Sequence, residues 1–117
     1  MNYRVVLVGE SLPTTRILGV ALASAGYEVV LVDDPQALAT TVMTPPDLII
    51  LDHVEPTDLY RLNPRVLGFG GRLLLLTEVD PDVATQVLTP DFVVRKPFDI
   101  EAVRRQVREL LLLLGST

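Results

Sequence analysis

The sequence predicts a doubly wound α/β domain, on three observations. Five short apolar runs, Tyr3–Val8, Glu28–Val32, Leu48–Leu51, Arg72–Leu76 and Phe92–Arg95, are continuous rather than alternating, as strands buried on both faces are. Segments of helical period lie between and after them, so the order reads β-α five times. An apolar fraction of 49% and a mean hydropathy of +0.39 suit a parallel sheet covered by helices.

Each helical segment carries its own start and stop signals. The first opens at Ser11 with Pro13 in its first turn, shows an apolar stripe of Ile17, Leu18, Ala21, Leu22 and Ala25, and ends at Gly26. The second has Asp34 as N-cap and Pro35 at its first position, and stops before Pro45–Pro46. The third, Thr57–Leu67, contains Pro64 and is followed by Gly68, Gly70 and Gly71, so it reads as a short helix and then a turn. That turn lacks both the Lys of a P-loop and a G-x-G-x-x-G pattern. The fourth, Asp80–Leu88, begins with Asp80 and Pro81 and is closed by Pro90. The last runs from about Phe98 to Leu114, with Asp99 near its cap and Ile100, Val103, Val107, Leu110, Leu111 and Leu114 on its buried face. Leu112 and Leu113 then turn toward solvent.

A chain of 117 residues is sized for one domain spanning 1–117. It has no Cys, which rules out disulfides, thiolate zinc sites and Cys nucleophiles, and leaves a cytoplasmic setting as the expectation. Fifteen acids against ten bases give a net charge of −5, which disfavours nucleic acid and anionic membranes as partners. The Leu110–Leu114 run is too short to span a bilayer, and the apolar run Val5–Val8 is stopped by Gly9 and Glu10 before it could serve as a signal peptide.

In an open parallel sheet, functional groups gather at the carboxyl ends of the strands. Here those ends carry Glu10, Asp52, Thr77 and Lys96. A carboxylate is a possible nucleophile toward phosphorus, and a second helps hold Mg²⁺, which prefers oxygen ligands. A hydroxyl and an ammonium bond and neutralise phosphoryl oxygens. Lys96 is the single Lys among ten basic residues, so the compact ammonium stands where the sequence otherwise uses Arg.

With "VVLVGES", "PPDLIILDHVEP", "LLLLT" and "VVRKPFD" in this order, the chain resembles a response-regulator receiver domain over nearly its whole length. The resemblance implies a flavodoxin-like, five-stranded parallel sheet of order 2-1-3-4-5. It also implies two-component signalling through protein contacts, with a histidine kinase or another signalling protein as partner, and no turnover chemistry beyond self-phosphorylation and its reversal. It assigns Asp52 as phosphoacceptor, Thr77 as the hydroxyl that responds to phosphorylation and Lys96 as the phosphoryl contact, with a cis bond to Pro97 expected. Glu10, Asp52 and the backbone carbonyl of Val54 take the places of Mg²⁺ ligands. The last helix, with Arg104, Arg105 and Arg108 on one side and Leu112 and Leu113 exposed, takes the place of a homodimer surface.

Three departures mark the chain as an atypical receiver. The acidic pair after the first strand is Gly9–Glu10, so Mg²⁺ and phosphorylation at Asp52 are expected to be weak or absent, and Gly9→Asp to strengthen the ion. The aromatic switch position three before Lys96 is Val93, with Phe92 as its neighbour. The spans from Asp52 to Thr77 and from Thr77 to Lys96 are short, so the third and fourth helices are trimmed. Plainer readings stand beside these: Glu10 as a dipole partner of the first helix, Thr77 as an ordinary strand-end residue, and His53 as an exposed loop residue. A rival class is a flavodoxin-like phosphate- or cofactor-binding module using Ser11, Thr14 and Thr15 at the first helix. A dehalogenase-like phosphatase would need a second Asp at 54, where the chain has Val.

Overall fold

Runs of Val, Leu and Ile give the molecule one five-stranded sheet, all of whose pairings are parallel: β1 (Arg4–Val8), β2 (Glu28–Val32), β3 (Leu48–Asp52), β4 (Arg72–Thr77) and β5 (Phe92–Arg95). The strand order is β2-β1-β3-β4-β5, so β1, β3 and β4 are the interior strands. Two helices are α1 (Pro13–Ser24) and α2 (Ile100–Gly115). This computed structural model describes residues 3–9, 13–32, 46–52, 72–77, 92–95 and 99–115. The helices expected after Asp34 and over 57–67 and 80–88, the turn at 68–71, and Glu10, Ser11, His53, Val54, Lys96 and Pro97 lie outside the described residues.

The continuous apolar runs are explained by burial on both faces. Leu7, Ile50, Leu74 and Leu76 join Leu18 and Leu22 of α1 and Val103 and Val107 of α2 in one core. On the opposite face Val6, Val8, Ile49 and Leu51 are equally inaccessible. The edge strands differ: Leu31 of β2 is 48% exposed and Phe92 of β5 is 42% exposed. Among the described residues, no helix is long and apolar enough to cross a membrane.

The helix ends follow their sequence signals. At the end of α1, Gly26 adopts φ 99°, a left-handed conformation that a Cβ would penalise. Its N–H donates to Ala23 O at 3.1 Å, and the Tyr27 N–H donates to Leu22 O at 3.3 Å, the paired bonds of a Schellman cap. Asp99 caps α2: its Oδ1 accepts from the Glu101 N–H at 3.1 Å, and its carbonyl accepts from the Val103 N–H at 3.1 Å. The helix begins at Ile100, two residues after the expected Phe98, because Asp99 is the cap rather than a helical residue.

One expected face needs correction. Ile17, placed on the buried stripe of α1, is 54% exposed, and Ala25 is exposed as well. The face that meets the sheet carries Thr15, Leu18, Gly19 and Leu22. A polar residue, Thr15, thus lies on the buried face, next to the end of β3.

Candidate functional site

β3 ends on Asp52, and β1 is followed by Gly9, so backbone and carboxylate meet at the carboxyl edge of the sheet. The Gly9 N–H donates to Val32 O at 3.0 Å, adding one rung to the β1–β2 ladder and fixing the Gly9 backbone beside β3. Asp52 is 1% exposed and Thr15, in the first turn of α1, is 2% exposed. Among the described residues these are the buried polar side chains, and they are bonded to one another: Thr15 Oγ1 donates to Asp52 Oδ2 at 2.8 Å. A buried carboxylate must be compensated, and a hydrogen bond to a charged group contributes about 1.5–3 kcal/mol. The bond accompanies a buried face of α1 on which Thr15 lies with Leu18, Gly19 and Leu22.

Gly9 is what makes room for it. A Cβ at position 9 would lie 3.0 Å from the Asp52 carbonyl oxygen, 3.2 Å from Thr15 Oγ1 and 3.3 Å from Thr15 Cγ2. The space that a side chain at 9 would use is thus filled by the Thr15 side chain. A side chain introduced at 9, as in Gly9→Asp, therefore needs the Thr15 side chain to give by a few tenths of an ångström.

Register places the second candidate close by. Asp52 pairs with Leu76 of β4, so Thr77 stands one step beyond it at the same edge, opposite Arg95 at the end of β5. Lys96 follows Arg95 in sequence, and Lys96, Glu10 and Val54 lie outside the described residues. Val93 and Val94 are both half-buried, whereas Phe92 at the start of β5 is exposed.

Of the three positions expected to ligate Mg²⁺, Asp52 is among the described residues, and Glu10 and Val54 lie outside them. Mg²⁺ demands near-octahedral oxygen ligation. The described edge offers one carboxylate, Asp52, whose Oδ2 accepts the Thr15 hydrogen bond, and beside it a glycine with no side-chain ligand. The Thr15 hydroxyl points its proton, not a lone pair, at that carboxylate.

Thr15, expected from sequence only as a hydroxyl of the rival phosphate-binding module, is bonded here to Asp52. A signal was present: Thr15, Leu18 and Leu22 recur at i, i+3 and i+7, which puts a hydroxyl on the apolar stripe. Away from this edge, the far end of α1 and the exposed side of α2 frame a cavity of about 570 Å³ lined by Tyr3, Tyr27, Arg104, Arg105, Arg108 and Leu111 among others.

No protein-family model matches the chain. Solved structures do resemble it. The chemotaxis protein CheY4 of Vibrio cholerae is 22% identical, with 94% of this chain and 99% of that chain covered and a TM-score of 0.76. The receiver domain of Francisella response regulator 1452 is 17% identical over 97% of this chain and 99% of that one, with a TM-score of 0.79. A streptococcal redox sensor evolved from two-component response regulators is 21% identical, covering 97% of this chain and 53% of that one, with a TM-score of 0.77. The chain therefore has the fold of response-regulator receiver domains.

Proposed function

We propose that the chain is an atypical receiver domain of two-component signalling, acting through protein contacts with a histidine kinase or another signalling protein. The observation that carries this reading is Asp52, buried at the carboxyl end of the central strand β3 in a sheet of order β2-β1-β3-β4-β5, with Thr77 ending the adjacent strand. A buried carboxylate at that place has a stability cost that packing alone does not require. Asp52 is the phosphoacceptor position, Thr77 the responding hydroxyl and Lys96 the phosphoryl contact. Glu10, Asp52 and the Val54 carbonyl are the positions at which any Mg²⁺ would be held, and the loss of an acid at Gly9 weakens or removes that ion. The protein is not a turnover enzyme under this reading, and its setting is cytoplasmic. The streptococcal redox sensor, evolved from two-component response regulators, shows the fold put to another use.

Self-association through α2 belongs to the same proposal. Leu112 is 56% exposed on that helix, beside the cavity that Arg105 and Arg108 line.

The test is incubation with acetyl phosphate and Mg²⁺ followed by intact-mass measurement. A phosphoryl adduct lost in Asp52→Asn and Lys96→Ala supports the assignment. An adduct that survives Asp52→Asn removes Asp52 from its role, and no adduct under any condition leaves a receiver that works without phosphate.

A further inference from the structure

The cavity of about 570 Å³ lies apart from Asp52 and is built from two kinds of side chain. Tyr3 precedes β1 and Tyr27 precedes β2, and the pairing of Arg4 with Glu28 sets the two tyrosines side by side at the amino edge of the sheet. Both are half-buried and packed against the core, where Leu111 of α2 is buried as well. These three make the inner wall. Arg105 and Arg108 are exposed on α2 and make the mouth.

The charge of this lining is unbalanced. Its acid, Glu101, is taken by Arg104 at 2.7 Å, and Glu28, next to Tyr27, is taken by Arg4 at 3.2 Å. Among the described residues, neither Arg105 nor Arg108 has an ion-pair partner. Two guanidinium groups one helical turn apart are therefore in excess, in a chain whose net charge is −5. They stand at the mouth of a cavity that also holds two of the three tyrosines in the sequence.

From this we infer that the cavity is a binding site for a nucleoside phosphate, with the phosphates on Arg105 and Arg108 and the base against Tyr3 and Tyr27. A guanidinium is a planar fork of donors that matches phosphate oxygens two at a time. Helix positions three apart have Cβ atoms about 5–6 Å from one another, so both forks reach one phosphate chain. Tyrosine rings give a base a face to stack on. The volume lies within the roughly 300–1,000 Å³ of small-ligand sites. Inorganic phosphate would leave most of that space unfilled, and an acidic peptide would use the arginines but bring no flat group to the tyrosines. The site does not depend on any chemistry at Asp52.

The experiment is an NMR titration of the isotope-labelled protein with ATP, GTP or inorganic tripolyphosphate, at equal ionic strength and without divalent ions. Saturable amide shifts are expected at Tyr3, Tyr27 and from Arg104 to Leu112. Tripolyphosphate carries the phosphates without the base, so a nucleotide should bind at least about tenfold more tightly. Arg105→Gln with Arg108→Gln should weaken nucleotide binding by about tenfold or more. Arg16→Gln, at an exposed position of α1 outside the lining, should leave it unchanged. Tyr27→Phe keeps the ring and should bind as the wild type does, whereas Tyr27→Leu should bring nucleotide affinity down toward that of tripolyphosphate.

Equal affinity for nucleotide and tripolyphosphate overturns the inference. So does a loss in Arg16→Gln as large as that in the double arginine variant, which would mean general attraction of anions. An absence of saturable shifts with both nucleotides overturns it as well, and if the double arginine variant then self-associates less in light scattering, the occupant is a second copy of the chain. Should Tyr27→Leu fail to fold, the comparison of nucleotide with tripolyphosphate on the wild type decides the role of the rings.

Discussion

Strand β3 is bracketed by two aspartates that do opposite things. At its amino end, Asp47 is half-buried and works on backbone: its Oδ2 accepts from the Arg4 N–H at 2.8 Å, its own N–H donates to Arg4 O at 2.9 Å, and its carbonyl accepts from the Arg72 N–H at 3.1 Å. It ties the beginnings of β1, β3 and β4 together. At the carboxyl end, Asp52 is fully buried and its carboxylate accepts a hydrogen bond from a side chain, Thr15. The contrast teaches that an Asp beside a strand is structural when it completes main-chain bonds. It is a candidate for chemistry when it is buried at the carboxyl edge of the sheet.

The sharpest test of this contrast is stability. Asp47→Ala leaves the Arg4 N–H without its acceptor and should lower the unfolding free energy by about 2–3 kcal/mol in urea titrations. Asp47→Asn, which keeps an acceptor oxygen, should recover around half of that. Asp52→Asn should cost only about 1 kcal/mol or less, because the amide oxygen still accepts from Thr15 and a buried charge is relieved. An Asp52→Asn loss as large as that of Asp47→Ala would erase the distinction.

Next in size is Gly9→Ala, expected to cost about 1–2 kcal/mol by overpacking against Thr15 and the Asp52 carbonyl. Thermal melts of the Thr15→Ala background should show a smaller penalty for the same change, since part of the collision has gone. Equal penalties in both backgrounds would mean that Gly9 and Thr15 are not matched.

Leu112→Glu should leave unfolding free energy within about 0.5 kcal/mol, since Leu112 is exposed on α2 and exposed helix positions tolerate charge. Light scattering across a concentration series should show the wild type associating and the variant monomeric. A monomeric wild type at every concentration removes the α2 homodimer. The smallest effect belongs to Arg104→Ala. Arg104 Nη1 lies 2.7 Å from Glu101 Oε1 in a pair exposed to solvent, worth about 0.3–0.5 kcal/mol and weakened by salt. Denaturant curves at low and high salt should show that small difference shrinking.

Fold and site were not equally legible. The sheet could be read because continuous apolar runs report double burial, and Gly26 and Asp99 could be read because a left-handed C-cap and an N-cap have their own residue preferences. Asp52 was legible from its place after an apolar strand and from the motif around it. The place of Thr15 on the buried face of α1 was not. Periodicity weighs Ile17 as apolar and Thr15 as polar, and it cannot know that a carboxylate 37 positions away in sequence will repay the burial of a hydroxyl. The effect of Gly9 escaped for a related reason. In sequence it is a missing acid, whereas in space it is the room for a neighbour.

The parallel ladder also sets an order of events in time. The unit of β1, α1 and β2 closes within residues 4–32, while β3 must return from position 48 to pair with β1. Closing the longer loop costs more chain entropy before any contact is made, so the local unit has the kinetic advantage. The Thr15 hydroxyl is in place on that early unit, and its partner arrives only with β3. The bond between them is therefore absent from the first structured ensemble and acts as a latch on the finished one. Breaking it should quicken unfolding and leave the refolding rate nearly untouched.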